Sequence, residues 1–578
     1  MQRTTVFAIA ALWVHSGAAA GADAVAGRAE FRRQCVLCHS AEPADGGGGQ
    51  GPTLAGVYGR HAAGDPKFAY TAALRQTGLI WDLATLMRFL ALPEKLVPGS
   101  NMVARVPDAA VRADIIAYLR TTSPTGTSMV AAGDGVASTP KGPDPAATNF
   151  DWMLDMPGIV HRIDGAALAK PYASASATNE VQLVERPASA RPALPTGFRL
   201  ELFARNLAGP RKMLAAANGD ILVSEMSGGR VTVIHPSEDG TRSAGSDVYL
   251  QGLTAPFGLA LYPNAEHPQW LYVAQSNRIS RYEYRTGDRR PRSAAEVIVP
   301  HLPAGGGHVT RDIAFSADGT RMFVSVGSAS NVAETMSKKT PAAIRSWEAG
   351  HGRGAAWDDE TDRAAVMVFK VGSKASGRLY ATGLRNCVSL TVQPVNGELW
   401  CTVNERDGLG DDLVPDYSTR VREGGYYGWP WYYLGAYEEP RLQGDRPDLR
   451  GRALVPDVLY QAHSAPLDLM FYSASHGPSA FPDEYIGDAF AVFHGSWNRG
   501  SRTGYKIVRV RMTHGVPSGN YEDFLTGFIV DNAKVWGRPV ALLELGDGSM
   551  LLSDDAANVI YRISYAPVGE PRQGSARE

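Results

Sequence analysis

The sequence predicts a multidomain chain: a small all-α domain over residues 25–122, then an all-β six-bladed propeller over residues 194–567. Three observations predict this. Before residue 122 apolar residues recur at helical spacing; Pro107 to Leu119 offers Val111, Ile115, Tyr118 and Leu119 to a core. Thr121 to Asn149 is rich in Pro, Gly, Ala, Ser and Thr and has little to bury. After about Leu194, short runs of Val, Ile, Leu, Phe and Tyr alternate with turn residues.

The first 24 residues read as a secretory signal peptide. Arg3 is the positive flank, Val6 to Val14 the apolar run, and Ala22-Asp23-Ala24 or Ala18-Ala19-Ala20 the cleavage pattern. The run is too short to span a bilayer, and no later segment is apolar for long enough. The expected compartment is the periplasm, where free thiols are disfavoured, so the four cysteines carry information. A net charge of −2 gives no electrostatic case for a nucleic-acid partner.

In the α domain, Cys35-Val36-Leu37-Cys38-His39 is C-x-x-C-H, the attachment pattern of c-type haem. Two thiols add to the porphyrin vinyl groups, and the next residue sets an imidazole under the iron. A zinc site needs two more ligands at similar spacing, and none follow. A redox dithiol has no use for His39. "QGPTLAGVYGR" (Gln50 to Arg60) and "VPGSNMVARV" (Val97 to Val106) complete a resemblance to class I cytochrome c over about Ala24 to Thr122. The resemblance implies that Met102 is the second axial ligand opposite His39, the bland alternative being a core filler. It also implies that Gly27, Phe31 and Tyr118 mark a crossing of the first and last helices, and that Arg60, Tyr70 and Trp81 face the haem propionates. Met87 lies in a periodic apolar segment and reads as packing.

Residues 123–193 are expected to be a tether followed by an arm on the second domain, and 568–578 a disordered tail. In the second domain six units share one shape of turn, strand, polar loop and strand; "ANGDILVSEMSGGRVTVI" and "SADGTRMFVSVGS" are two. Repeats of this kind signal a propeller. The units count six blades, with five or seven left open.

Four stretches carry the chemistry. "AGGGHVTRDIAF" puts His308 before a strand, where it is a candidate general base or an ordinary hydrogen-bonded histidine. "YATGLRNCVSLTV" opens a strand with Arg385-Asn386. "VNERDGLGDDLVPDY" gathers carboxylates and glycines that suit Ca²⁺, or form an acidic surface turn. "HSAPLDLMFY" and "FHGSWNRGSRTGYKIVRV" add His463, Trp497 and Arg499.

Together these resemble the soluble quinoprotein sugar dehydrogenases, in particular the sorbosone or pyranose dehydrogenase type, which carry pyrroloquinoline quinone (PQQ) on a six-bladed propeller. The resemblance implies His308 as the base taking the substrate hydroxyl proton, Arg385 as stabiliser of negative charge on the quinone, and Asn386 as a neighbouring contact. It implies Ca²⁺ held by backbone oxygens around Asp407 and Gly408, where it would act as a Lewis acid on the quinone. His463, Arg499 and Arg538 fall where relatives contact the cofactor, guanidinium groups being suited to carboxylates. Arg211 is a weaker candidate for the same pocket. Cys387 and Cys401 flank a turn at Pro394 to Gly397, so a cross-strand disulfide competes with two buried thiols.

The expected activity is oxidation of a sugar, sugar aldehyde or related alcohol by PQQ. The electrons would pass to haem c and then to a soluble cytochrome c or copper protein. Two rivals stand beside it: a non-catalytic sugar-binding or adaptor propeller, and a Ca²⁺-dependent lactonase.

Overall fold

The structure is a computed structural model that describes residues 22–35, 39, 41, 51–65, 68, 70–98, 100, 102, 105–122, 152–373 and 377–566. Most of the expected signal peptide, the tether, Cys38, Gly99 and the expected tail lie outside the described residues. No helix among the described residues is long and apolar enough to cross a membrane.

The N-terminal lobe is helical. Helix α1 (Ala24–Gln34) is capped by Asp23, whose side chain accepts from the Val25 amide. Short α2 (Ala72–Arg75) precedes α3 (Leu83–Ala91) and α4 (Pro93–Leu96), and α5 (Ala109–Thr121) closes the lobe under an Asp108 cap. Helices α1 and α5 cross at Gly27, where an added Cβ would lie 1.8 Å from the Asp114 carbonyl oxygen. Phe31 and Tyr118 meet there with ring centroids 5.4 Å apart. Ile115, Ile116 and Leu119 are fully buried, and Met87 packs on the same core, as its periodicity implies.

The second domain is a six-bladed propeller. Blades 1 and 2 span 210–250 and 259–299 as plain four-stranded antiparallel sheets. Blade 3 (313–382) and blade 4 (387–459) carry long insertions between strands; the blade 3 insertion holds α6 (Pro341–His351). Blade 5 (466–525) gains a fifth strand from the arm, Val160–His161, paired with Tyr521–Leu525. Blade 6 (539–565) is completed by Phe198–Ala204, which pairs with Val559–Tyr565. The first and last strands of the propeller thus share one sheet, which closes the ring.

The first strand of each of blades 1–5 and Pro539–Glu544 of blade 6 line the axis, each against its neighbours. Lys212 of blade 1 joins them there. Its ammonium is 3.3 Å from Asp312 (blade 3), 3.3 Å from Ser389 (blade 4) and 2.9 Å from Asp468 (blade 5). Asp468 also accepts the Leu542 amide of blade 6. Burial disfavours the ammonium, but the two carboxylates outweigh it and raise its pKa. Buried charge survives here because it is paired and hydrogen-bonded.

The arm is pinned in the same way. Asp155 and Asp523 both accept from Lys506 Nζ, at 2.8 and 2.7 Å, with His161 Nε2 3.0 Å from Asp523. The lysine supplies the cation this acidic group needs. Cys387 and Cys401 are disulfide-bonded, Cα to Cα 5.8 Å. Cys401 stands opposite Leu390, and a register shift after Cys387 brings the first sulfur back into reach.

Candidate functional site

Two sites emerge, one in each fold. In the helical lobe, a cavity of about 230 Å³ is lined by Cys35, His39, Arg60, Tyr70, Trp81 and Met102 among others. His39 Nδ1 donates to the Pro52 carbonyl at 2.9 Å, which leaves Nε2 with the lone pair a metal needs. Gly51 permits this approach, since a Cβ there would come within 2.2 Å of the imidazole. Burial lowers the His39 pKa and keeps the ring neutral. Arg60 gives Nη2 to the Thr53 carbonyl at 2.7 Å, while its buried Nε has no partner. A buried guanidinium nitrogen without an acceptor fits a propionate. The cavity therefore fits a haem, whose iron His39 and Met102 on its wall would ligate. Arg60, Tyr70 and Trp81 all stand on its wall.

In the propeller, His308 and Asn386 abut across Gly327. A Cβ on Gly327 would lie 2.4 Å from Asn386 Oδ1 and 2.6 Å from His308 Cβ. The glycine-rich loop before His308 is fixed by Gly306, which packs on the Ala329 carbonyl, and by buried Arg363, which donates to the Ala304 and Gly305 carbonyls at 2.8 and 2.9 Å. His308 Nδ1 donates to the Ser328 carbonyl at 2.9 Å, so Nε2 is the unprotonated nitrogen. Burial, helped by the nearby Arg385 charge, pushes the His308 pKa down to about 3.

Arg385 is buried and fully engaged. It donates to the Asn331 carbonyl (3.1 Å), the Asn404 and Glu405 carbonyls (3.1 and 2.7 Å) and Asn331 Oδ1 (2.8 Å), and lies 3.4 Å from Asp407. It supplies a fixed positive field rather than a free fork. Asn386 Oδ1 is buried without a partner, an acceptor waiting for an N–H or O–H.

Asp407 is the hub behind them. His463 Nδ1 is 3.4 Å away, and Asn498 Nδ2 donates to the same oxygen. Burial opposes the Asp407 charge, but the His463 hydrogen bond and Arg385 hold its pKa low. His463 also gives Nε2–H to the Gly410 carbonyl at 3.0 Å; burial opposes its charge, and Asp407 raises its pKa above the usual value. The Asp407 carboxylate is thus taken up by three nitrogen donors, which leaves the backbone oxygens of this loop, not this carboxylate, as the groups that could hold Ca²⁺. Gly408 lies in the same loop at φ +90° with open space on its Cβ side.

Arg499 and Arg538 brace loops. Arg499 donates to the Asp411 and Ser501 carbonyls and to Asp412, and Arg538 to the His494 and Gly495 carbonyls. Arg211 pairs with Asp555 at 3.3 Å. Asn331, Asn498 and Arg363, which hold the groups around His308 and Arg385, were not singled out in the sequence. Asn331 alone ties Arg385, Asp407 and Trp429 together, accepting Trp429 Nε1–H at 2.9 Å on its carbonyl.

Known proteins share both parts. Cytochrome c2 of Rhodopila globiformis is 40% identical over 106 residues, 18% of this chain and 98% of that protein. The iodide structure of a Carbohydrate-Active Enzymes Family AA12 protein from Trichoderma reesei superposes with a TM-score of 0.52 at 20% identity, covering 67% of this chain and 100% of that one. The holo form of the pyranose dehydrogenase PQQ domain from Coprinopsis cinerea gives 0.52 at 19% identity, covering 66% and 98%. Residues 192–420 and 449–566 match the TrAA12-like family. The chain therefore belongs to the TrAA12-like family, its propeller preceded by a cytochrome c domain.

Proposed function

We propose that this is a periplasmic quinohaemoprotein dehydrogenase. It oxidises a sugar, sugar aldehyde or related alcohol with PQQ at the propeller and delivers the electrons to haem c. A soluble cytochrome c or a copper protein then takes them away. The observation that carries this reading is His308: a buried neutral imidazole beside Arg385 and Asn386, in a chain that also holds a haem cavity.

PQQ, when bound, supplies the two-electron acceptor. The chain's own residues supply the rest. His308 Nε2 takes the substrate hydroxyl proton, and Ser328 fixes its tautomer by holding Nδ1–H. Arg385 provides positive potential in a water-poor setting, where it acts most strongly. Asn386 Oδ1 orients a donor on the cofactor or substrate. His463, Asp407 and Asn498 keep Arg385 in place. The Asp407 carboxylate is engaged by nitrogen donors, so Ca²⁺, when bound here, would rest on backbone oxygens of this loop.

The test is dye-linked oxidation across a panel of aldoses and polyols, with and without PQQ. Dye reduction that requires PQQ is expected. No oxidation of any member by the PQQ-loaded protein overturns the reading.

A further inference from the structure

The haem cavity is not built by the helical lobe alone. Thr178 and Glu180 of the arm and Trp497 of the propeller complete its wall. Hydrogen bonds tie the arm here to the propeller turn. The Trp497 carbonyl accepts the Asn179 amide at 2.7 Å. Arg502, wholly buried, donates to the carbonyls of Asn179 (3.1 Å), Glu180 (2.6 Å) and Ser496 (3.1 Å). Many donors spent on one turn hold it rigidly against the propeller.

The residue after Trp497 faces the other way. Asn498 donates to the Asp407 carboxylate, which in turn holds Arg385 and His463. One peptide unit therefore separates Trp497, on the wall of the haem cavity, from the polar cluster of the propeller site.

We propose that Trp497 is the electrical and mechanical junction of the molecule: its indole closes the haem cavity against the propeller and lies on the path of electrons from the propeller site to the iron. This rests on the proposed function and adds the residue that couples its halves. The balance is simple. Each substrate molecule loses two electrons and two protons; ferric haem takes one electron, passes it to an external one-electron oxidant, and then takes the second. Trp497 gains and loses no atoms and ends each cycle unchanged.

The full chain carrying Trp497→Ala or Trp497→Phe tests this with two readouts. The first needs no quinone. Ascorbate should reduce the ferric haem of the PQQ-free Trp497→Ala protein several-fold faster than wild type, because the cavity wall is open; Trp497→Phe, which keeps a ring, should fall between. The second uses PQQ-loaded protein mixed anaerobically with an accepted sugar. The rate of haem reduction, divided by the rate of dye reduction in the same sample, should fall about tenfold or more in Trp497→Ala, as losses of placement at a reacting centre do. An unchanged ascorbate rate or an unchanged ratio overturns the proposal. If even the wild type oxidises no sugar, the proposed function falls, and the ascorbate comparison still decides whether Trp497 closes the cavity.

Discussion

His308 is held neutral: burial and the Arg385 charge push its pKa down to about 3, so Nε2 carries a lone pair throughout the neutral range, and to act as a base it needs that pKa raised when substrate and cofactor fill the site. His308→Ala should cut sugar oxidation by about 100–10,000-fold, the usual worth of a positioned base, and leave the haem spectrum intact. Turnover equal to wild type in a PQQ-loaded sample removes His308 from the reaction. Asp416 shows the opposite shift. Burial pushes its carboxyl up to about 7, while it accepts the Glu405 and Ala465 amides at 2.8 Å each. Its unfolded pKa is about 3.9. Between these values the folded state holds the extra proton, so this contribution is full below about pH 4 and is lost as pH rises to about 7. Asp416→Asn should flatten the fall of Tm over that window, whatever it does to Tm itself; a slope equal to wild type contradicts the assignment. At this scale the sequence singled out residues that stand in motifs, and the fold gathers them: His39 and Met102 on one cavity wall, and His308, Arg385 and Asn386 beside one another in the propeller. It could not reveal Asn331 or Asn498, whose amides act on partners far along the chain, nor that Arg499 and Arg538 spend their donors on loop carbonyls.

Among the elements, the crossing of α1 and α5 is the most exacting. Gly27 sits where the Asp114 carbonyl leaves no room for a methyl group. Gly27→Val should lower the stability of the helical lobe by about 1–3 kcal/mol or more, the cost of overpacking a tight contact. The check is the thermal transition followed at the haem Soret band, with the propeller's own transition as internal reference; an unmoved Soret transition means the helices do not meet as described. The blade hairpins were legible because alternation and turn residues are local signals, and the arm's place on the second domain followed from its returning aromatics. The closing strand Phe198–Ala204 was not, since its partner lies more than three hundred residues on. Nor were the insertions in blades 3 and 4, where the strands are separated by segments with no period of their own. The disulfide was legible as one of two alternatives, and the register shift after Cys387 shows why a simple hairpin count could not decide it.

At the scale of the molecule, two ionic hubs fix the frame. Lys212 ties blades 1, 3, 4 and 5 at the axis, and Lys506 ties the arm to blade 5. Neither was visible in the sequence, because a lone lysine in a strand gives no hint of the carboxylates that the ring will bring to it. The arm thus fixed carries Thr178 and Glu180 to the haem cavity, so the propeller frame also sets the place where the two sites meet. The central claim is that electrons taken from a substrate carbon at the propeller leave through the haem of the same chain. The most direct measurement is an anaerobic mixture of the PQQ-loaded full chain with a sugar that supports dye reduction, followed by haem absorbance. Appearance of the ferrous haem spectrum without any added mediator is the predicted result. Haem that stays ferric while the same sample reduces dye would contradict the account.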